Sequence, residues 1–195
     1  MTEIRPIVRP ATEADATALA ELINFAGEGL PVYLWEKMAK PGESVWDVGR
    51  RRALRTEGGF SYRNAIVSEL DGAVAASLIG YGLPDRPVPI TDDMPAMVVP
   101  LQALENLAPG SWYVNVLASY PQFRGQGLGG GLLKVAEQSA ADAGHGSMSI
   151  IVSDANSGAR RLYERCGYRE TASRQMVKDD WDNPGRNWIL LVKPI

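Results

Sequence analysis

The stretch that decides the fold is Ser111–Glu137, which reads SWYVNVLASYPQFRGQGLGGGLLKVAE. Residues 111–119 are rich in Trp, Tyr and Val, a composition typical of a half-buried strand. Pro121 ends that strand, because proline has no N–H to donate to a neighbouring strand. From Leu128 onward, apolar residues recur at helical spacing. The stretch therefore predicts a strand, a short basic and glycine-rich turn, and a helix.

An anion site is predicted in the turn itself, which reads Arg124-Gly125-Gln126-Gly127-Leu128-Gly129. A helix that begins in such a turn leaves its first N–H groups without backbone partners. Those donors and the positive end of the helix dipole attract phosphate groups. The glycines permit close approach and positive φ angles, and Arg124 adds a fixed positive charge. We therefore expect this turn to bind a phosphate or a pyrophosphate.

Further strands and helices are predicted on both sides of this unit. The expected strands cover residues 4–9, 64–70, 73–81, 147–152, 168–177 and 187–192. The expected helices run from about Thr12 to Gly27 and over residues 31–38, 43–54, 101–107 and 157–166. Asp71-Gly72 is a strong hairpin signal. The order of elements predicts one α/β (α+β) domain over residues 1–195 with a central mixed sheet and flanking helices.

Composition excludes several classes of function. The net charge of −3 gives no electrostatic support for a nucleic-acid partner. No apolar run approaches the roughly 18–20 residues of a membrane span, and the first residues do not resemble a signal peptide. A lone cysteine, Cys166, fits a reducing cytoplasm, and a lone histidine, His145, argues against a bound metal.

Two nucleotide-binding motifs compete for the glycine turn. A Walker A loop requires a Lys-Ser or Lys-Thr pair after the glycines, which this sequence lacks. A dinucleotide-binding fingerprint is matched literally by Gly125, Gly127 and Gly130, with Asp154 as the candidate ribose-binding acid. That fingerprint, however, places its first glycine directly at the end of the strand, whereas residues 121–124 intervene here.

A third interpretation accounts for more of the chain. Leu117–Gly129 resembles the acetyl-CoA site of the GNAT N-acetyltransferase superfamily, in which a strand and a proline precede an Arg/Gln-x-x-Gly-x-Gly/Ala turn. Asn156–Tyr168 is similar to a second motif of that family, Asn…Ala…Leu-Tyr…Gly-Phe/Tyr. The two motifs follow in the expected order, and the resemblance covers roughly residues 60–178.

The resemblance implies a mostly antiparallel sheet in which two central strands splay apart, with acetyl-CoA as co-substrate. Backbone groups near Leu117 and Ser119 would pair with pantetheine, and the amides of Arg124 through Gly129 would hold the pyrophosphate. Asn156 would contact the pantetheine arm, although a simple helix N-cap explains it equally well. Tyr163 would protonate the departing CoA thiolate, whereas periodicity alone predicts a packed side chain.

The acceptor half of the site is less defined. The strand 112–119 has no acidic residue, and Val116 occupies the position where many relatives carry one. Other sources for the base are a water held by Asn115 or Ser119 or one of four carboxylates, which are Glu69, Asp92, Asp93 and Glu105.

We expect the acceptor to be an amine of a small molecule or a peptide. The acidic segment 28–47 and the loop 84–109 would shape its pocket, and their carboxylates would favour a cation. A non-catalytic acyl-CoA sensor is the main alternative function. Pairing of the last two strands across subunits would make a homodimer.

Overall fold

A computed structural model describes residues 6–195, which contain seven strands and six α-helices. The strands are β1 (Ile7–Pro10), β2 (Ala65–Leu70), β3 (Ala73–Gly82), β4 (Trp112–Ser119), β5 (Ser147–Ser153), β6 (Arg169–Gln175) and β7 (Asn187–Pro194). The helices are α1 (Ala16–Ala26), α2 (Leu30–Glu36), α3 (Val45–Ala53), α4 (Val99–Glu105), α5 (Leu128–Asp142) and α6 (Ser157–Arg165).

The strands form one sheet in the order β1-β2-β3-β4-β5-β7-β6. The pairs β1/β2, β2/β3, β5/β7 and β6/β7 are antiparallel, and β4/β5 is parallel. The parallel register runs from Trp112 opposite Met148 to Val114 opposite Ile150, whereas β4 itself continues to Ser119. The predicted mixed, mostly antiparallel sheet is confirmed. A doubly wound dinucleotide-binding fold is excluded, because such a fold requires a mostly parallel sheet.

The chain divides into two compact units. The first comprises the residues up to Gly80 together with Asn115–Val135, and the second comprises Tyr81–Val114 and Ala136–Ile195. The boundaries fall within β3, β4 and α5. The prediction of a single domain over residues 1–195 stays a prediction.

The core of the first unit is formed by apolar faces of its helices and strands. Leu19 and Ile23 of α1 are buried together with Trp35 of α2 and Val48 of α3. A Cβ atom added at Gly49 would lie 2.5 Å from Cζ3 of Trp35, so this close approach of α2 and α3 requires glycine.

A partly buried ion-pair network joins β1 to β2 and to the turn before α1. The guanidinium of Arg9 donates to both carboxylate oxygens of Asp15, at 2.8 and 3.0 Å, and to Glu69 at 2.8 Å. The bonds from Arg9 lower the pKa of Asp15 despite its burial. Glu69, one of the four carboxylates considered as a base, is therefore already paired.

The second unit has its core between α4 and the strands β5, β6 and β7, against which this helix lies. Leu104 of α4 and Leu191 of β7 are fully buried. Ser111 and Ser149 share a buried hydroxyl hydrogen bond of 2.7 Å. Nδ1 of His145 lies 2.8 Å from the carbonyl oxygen of Gly110, so this histidine has a local structural partner.

Observed boundaries differ from the predicted ones by a few residues. Helix α4 begins at Val99 and not at Leu101, because Pro100 is compatible with the first turn of a helix. Strand β1 includes Pro10, which lies opposite Ile66 at the sheet edge. The predicted first strand also included residues 4 and 5, which lie outside the described part of the chain.

Candidate functional site

The glycine turn has the backbone that an anion site requires. Gly125 and Gly127 have φ angles of 78° and 77°, a region that side chains other than glycine rarely adopt. A Cβ atom at either position would meet nothing within 4 Å, so the space beside the backbone is open. Residues 124–127 are exposed, and a ligand therefore has access to them.

Helix α5 begins directly after these glycines. The first backbone bond of its ladder is donated by Gly131 to the carbonyl oxygen of Gly127, at 3.0 Å. The N–H groups that precede Gly131 in the first turn have no acceptor within the helix and point away from its N-terminus. Leu128 is buried and anchors this end of the helix, while Gly129 is half-buried. The turn and the helix dipole together favour an anion.

Arg124 contributes to the anion site through its side chain more than through its backbone amide. Its N–H donates to the carbonyl oxygen of Pro121 at 3.3 Å, which closes a short 3-10 turn over Pro121–Phe123. The side chain of Arg124 is exposed, and so is that of Gln126. The amides available to the predicted anion site are therefore those after Arg124, and the guanidinium of Arg124 supplies the positive charge.

Strand β4 leads into the turn and is held there by Tyr120, which the sequence analysis missed. The N–H of Tyr120 donates to the carbonyl oxygen of Ala75 at 3.0 Å, and its hydroxyl donates to Glu21. The ring of Phe25 packs edge-on against that of Tyr120, with centroids 6.0 Å apart. Burial and the bond to Glu21 raise the pKa of Tyr120 well above its ordinary value.

Leu117 and Ser119 are both half-buried on β4. The predicted pairing of their backbone groups with pantetheine stays a prediction.

In the second unit, Asn156 caps the N-terminus of α6, and Tyr163 lies within this helix. The side-chain oxygen of Asn156 accepts a hydrogen bond from the N–H of Ala159 at 3.1 Å, so the N-cap interpretation is observed. The predicted contact of Asn156 with pantetheine stays a prediction. Tyr163 is buried, and its ring is tilted against that of Tyr168 with centroids 6.0 Å apart.

One carboxylate in this unit is bound by a buried tyrosine. The hydroxyl of Tyr113 donates a hydrogen bond to Glu105, the last residue of α4. Tyr113 is buried, and burial raises the pKa of its phenol, to which the charges of Glu105, Tyr81 and Tyr163 add. Burial also raises the pKa of Glu105 to about 7, against the opposing effect of the bond from Tyr113. Glu105 is one of the four carboxylates considered as a base, and its raised pKa lies near neutrality.

Asp154 has a structural role and not the role of a ribose-binding acid. Its carboxylate accepts hydrogen bonds from the N–H groups of Arg186 and Asn187, at 2.9 and 3.1 Å, and from the side-chain amide of Asn187 at 3.0 Å. These bonds occupy the carboxylate and fix the start of β7. The dinucleotide-binding interpretation therefore has neither a free ribose-binding acid nor the mostly parallel sheet that it requires.

Residues 6–195 contain neither a cluster of metal ligands nor a membrane-spanning helix. No three His, Cys, Asp or Glu side chains in this range come together in a way that would hold a metal ion. None of the helices described has the length and apolar character needed to cross a bilayer.

Solved structures share the fold over almost the whole chain. A structure described as an acetyltransferase superposes with a TM-score of 0.67 at 20% identity, covering 97% of this chain and 99% of its own. The polyamine N-acetyltransferase of Drosophila melanogaster, which forms N-acetylagmatine, superposes with a TM-score of 0.66 at 17% identity, covering 98% and 100%. A GNAT family acetyltransferase from Elizabethkingia anophelis with acetyl-CoA bound gives a TM-score of 0.51 at 18% identity, covering 67% and 75%. The fold is thus that of an acetyltransferase.

The family follows from the sequence match. The model of the Acetyltransferase (GNAT) family matches residues 32–168, which include both the glycine turn and α6. No curated protein sequence matches this chain. The chain belongs to the GNAT acetyltransferase family.

Proposed function

We propose that this protein transfers the acetyl group of acetyl-CoA to an amine of a small molecule or a peptide by direct attack. The observation that carries the proposal is the turn before α5, where Gly125 and Gly127 adopt positive φ beside exposed amides, within the segment that matches the family. A pyrophosphate is the anion that such a cradle suits in a GNAT acetyltransferase.

The cofactor contacts follow from this assignment. The amides from Gly125 to Gly129 bind the pyrophosphate, and the Arg124 guanidinium neutralises part of its charge. Backbone groups of Leu117 and Ser119 pair with the pantetheine arm, and the side-chain amide of Asn156 contacts the same arm. Gln126 and Leu128 contribute to pyrophosphate binding through their backbone N–H groups.

The reaction needs no covalent enzyme intermediate. A neutral amine attacks the thioester carbonyl, so that a C–N bond forms and the C–S bond breaks. Tyr163 donates its phenolic proton to the departing thiolate and recovers one from the ammonium nitrogen of the adduct. An ordinary phenol has a pKa near 10, so it stays protonated until a basic thiolate appears.

Replacing Tyr163 by phenylalanine tests this assignment. We expect kcat to fall by about 10²- to 10⁴-fold, the usual contribution of a general acid, while the Kd for acetyl-CoA stays unchanged. Tyr168→Phe is the matched control, because it removes a hydroxyl from the neighbouring buried ring. Full activity of Tyr163→Phe at every pH from 6 to 10 would show that Tyr163 is not the acid.

A second candidate is an acyl-CoA sensor that binds the cofactor without transferring the acetyl group. The observation that favours it is the absence of any carboxylate on β4, Trp112–Ser119. Free thiol release with a broad panel of amines distinguishes the two functions. A sensor binds acetyl-CoA and releases no thiol with any amine.

Cellular context and assembly are parts of the same proposal. The lone thiol, Cys166, is unpaired and suits a reducing compartment such as the cytoplasm. The whole chain would act as one catalytic domain. Of the two last strands, only β6 lies at a sheet edge, so a homodimer formed by strand pairing would use β6 and not β7.

A further inference from the structure

A small cavity in the second unit lies between α4 and the loop that follows β3. Its volume is about 200 Å³, and half of the residues that line it are proline, leucine or valine. Glu105 and Arg86 are the only charged residues among those that line it in this described region. A cavity of mostly apolar wall with a few polar groups is typical of a site for a small ligand.

The two side-chain amides of the wall, Gln102 and Asn106, bond to each other and to the backbone of Val88. The side-chain amide of Asn106 donates to the carbonyl oxygen of Val88 at 2.8 Å, and its oxygen accepts from the N–H of Val88 at 2.8 Å. The side-chain amide of Gln102 donates to the same Asn106 oxygen at 3.2 Å. These bonds fix the wall, so a ligand would be recognised mainly by the two charged residues.

The carboxylate of Glu105 retains capacity for a further donor. It accepts a hydrogen bond from Tyr113, and an ionised carboxylate has about four acceptor positions. Burial raises its pKa to about 7, which is close to the value that suits a general base at neutral pH. Glu105 is therefore both placed in the cavity and adapted to exchange a proton there.

Tyr113 connects this cavity with the proposed acid. Its hydroxyl binds Glu105, its ring packs edge-on against that of Tyr81 with centroids 5.9 Å apart, and it interacts electrostatically with Tyr163. Tyr81 of the cavity wall, Tyr113 and Glu105 therefore form one group of interacting side chains, and the charge of Tyr163 acts on Tyr113. No carboxylate from β4 is needed in such an arrangement.

We propose that this cavity is the acceptor site, that Glu105 is the catalytic base that deprotonates the acceptor's ammonium group, and that Arg86 binds an anionic group of the same molecule. This inference rests on the proposed acetyl transfer. The ammonium gives one proton to the Glu105 carboxylate and becomes the neutral nucleophile, and Glu105 later releases that proton to water. The full balance is an ammonium ion and acetyl-CoA in, and an N-acetyl amide, CoA thiol and one proton out.

The acceptor class follows from the size and charge of the cavity. At the roughly 30 Å³ that a water molecule takes in the liquid, 200 Å³ corresponds to roughly six or seven water molecules, which limits the acceptor to a small molecule. One carboxylate and one guanidinium favour a zwitterion over a polycation, since Arg86 would repel a second ammonium group. A short ω-amino carboxylic acid has this size and this charge pattern.

Other charged groups near α4 do not change this picture. Helix α4 also packs against strands β5, β6 and β7. The charged residues of these strands are Arg169, Glu170, Arg174 and Lys193. Within the described residues, burial accounts for the raised pKa of Glu105 and the bond from Tyr113 opposes it, and the charges of those strands are not among the causes.

The activity test uses Glu105→Gln, with Glu57→Gln as a control at an exposed glutamate. We expect kcat/KM of Glu105→Gln to fall by about 10² or more and the rise of the parent's profile near pH 7 to disappear. Glu105→Asp, which keeps the charge, should retain this rise at a lower rate. Acetyl-CoA binding should be unchanged in every variant.

Two outcomes separate this inference from the proposed function. An unchanged pH profile in Glu105→Gln with full turnover would overturn the role of Glu105 while leaving acetyl transfer intact. Binding of acetyl-CoA with no turnover by the parent on any amine would instead overturn the proposed function, and this inference with it.

The acceptor test compares 3-aminopropanoic acid, propylamine and 1,3-diaminopropane, which share one chain length and differ in end group. We expect the parent protein to have the highest kcat/KM on the amino acid, and Arg86→Gln to lose about tenfold or more of that preference through KM. A parent that prefers the diamine, or an Arg86→Gln variant with unchanged preference, would contradict the assignment of Arg86.

Discussion

Because Glu105 is buried, the free energy of unfolding should fall as pH rises and this carboxyl group ionises. Glu105→Gln should remove this cost in stability. The ordinary pKa of the side chain is 4.5, and burial raises it to about 7 in the folded state. Because the folded pKa is the higher one, the cost is absent below pH 4.5 and complete above about pH 7. At about 1.4 kcal/mol for each pKa unit, the complete cost is about 3 kcal/mol.

Urea unfolding of the parent and of Glu105→Gln at several pH values between 4 and 9 measures this cost. We expect the free energy of unfolding of the variant, relative to the parent, to rise by about 2–3 kcal/mol between pH 4 and pH 8. Glu57→Gln, at an exposed position, should show a flat difference. A flat difference for Glu105→Gln as well would refute the claim that this carboxylate is buried at a cost.

Three further substitutions test the turn and the packing of the first unit. Gly127→Ala should weaken acetyl-CoA binding, as measured by calorimetry, whereas the control Gly144→Ala, with the same backbone strain at φ 83°, should not. Equal binding by both variants would contradict the claim that the turn binds the pyrophosphate. Gly49→Ala should lower the free energy of unfolding in urea by about 1–3 kcal/mol, because the new methyl group overlaps the Trp35 ring, and an unchanged value would refute that contact. Tyr120→Phe should cost about 1–2 kcal/mol in the same assay through the lost bond to a carboxylate of α1, and a neutral effect would show that this bond adds nothing.

Local sequence signals were sufficient for most elements of the fold. The spacing of Leu19 and Ile23 predicts the buried face of α1, and Asp71-Gly72 predicts the hairpin of β2 and β3. The positive φ angles of Gly125 and Gly127 were also predictable, since few other residues adopt them. These features depend on residues that are close together in the sequence.

Features that depend on distant residues were not predictable. The sequence presented Glu105 as one of four equivalent carboxylates, because its burial and its bond to Tyr113 arise only when α4 packs in the second unit. The contact between Tyr120 and Glu21 joins residues 99 positions apart and has no local signal. The structural role of Asp154 likewise requires the start of β7 to fold back on it.

The most direct test of the central claim is a single incubation of the protein with acetyl-CoA and a panel of short primary amines, with CoA thiol and N-acetylated product measured together. We expect thiol and acetylated amine to form in equal amounts with at least one amine of the panel. Saturable binding of acetyl-CoA, with no CoA thiol released in the presence of any amine of the panel, would contradict the account and identify the protein as a sensor.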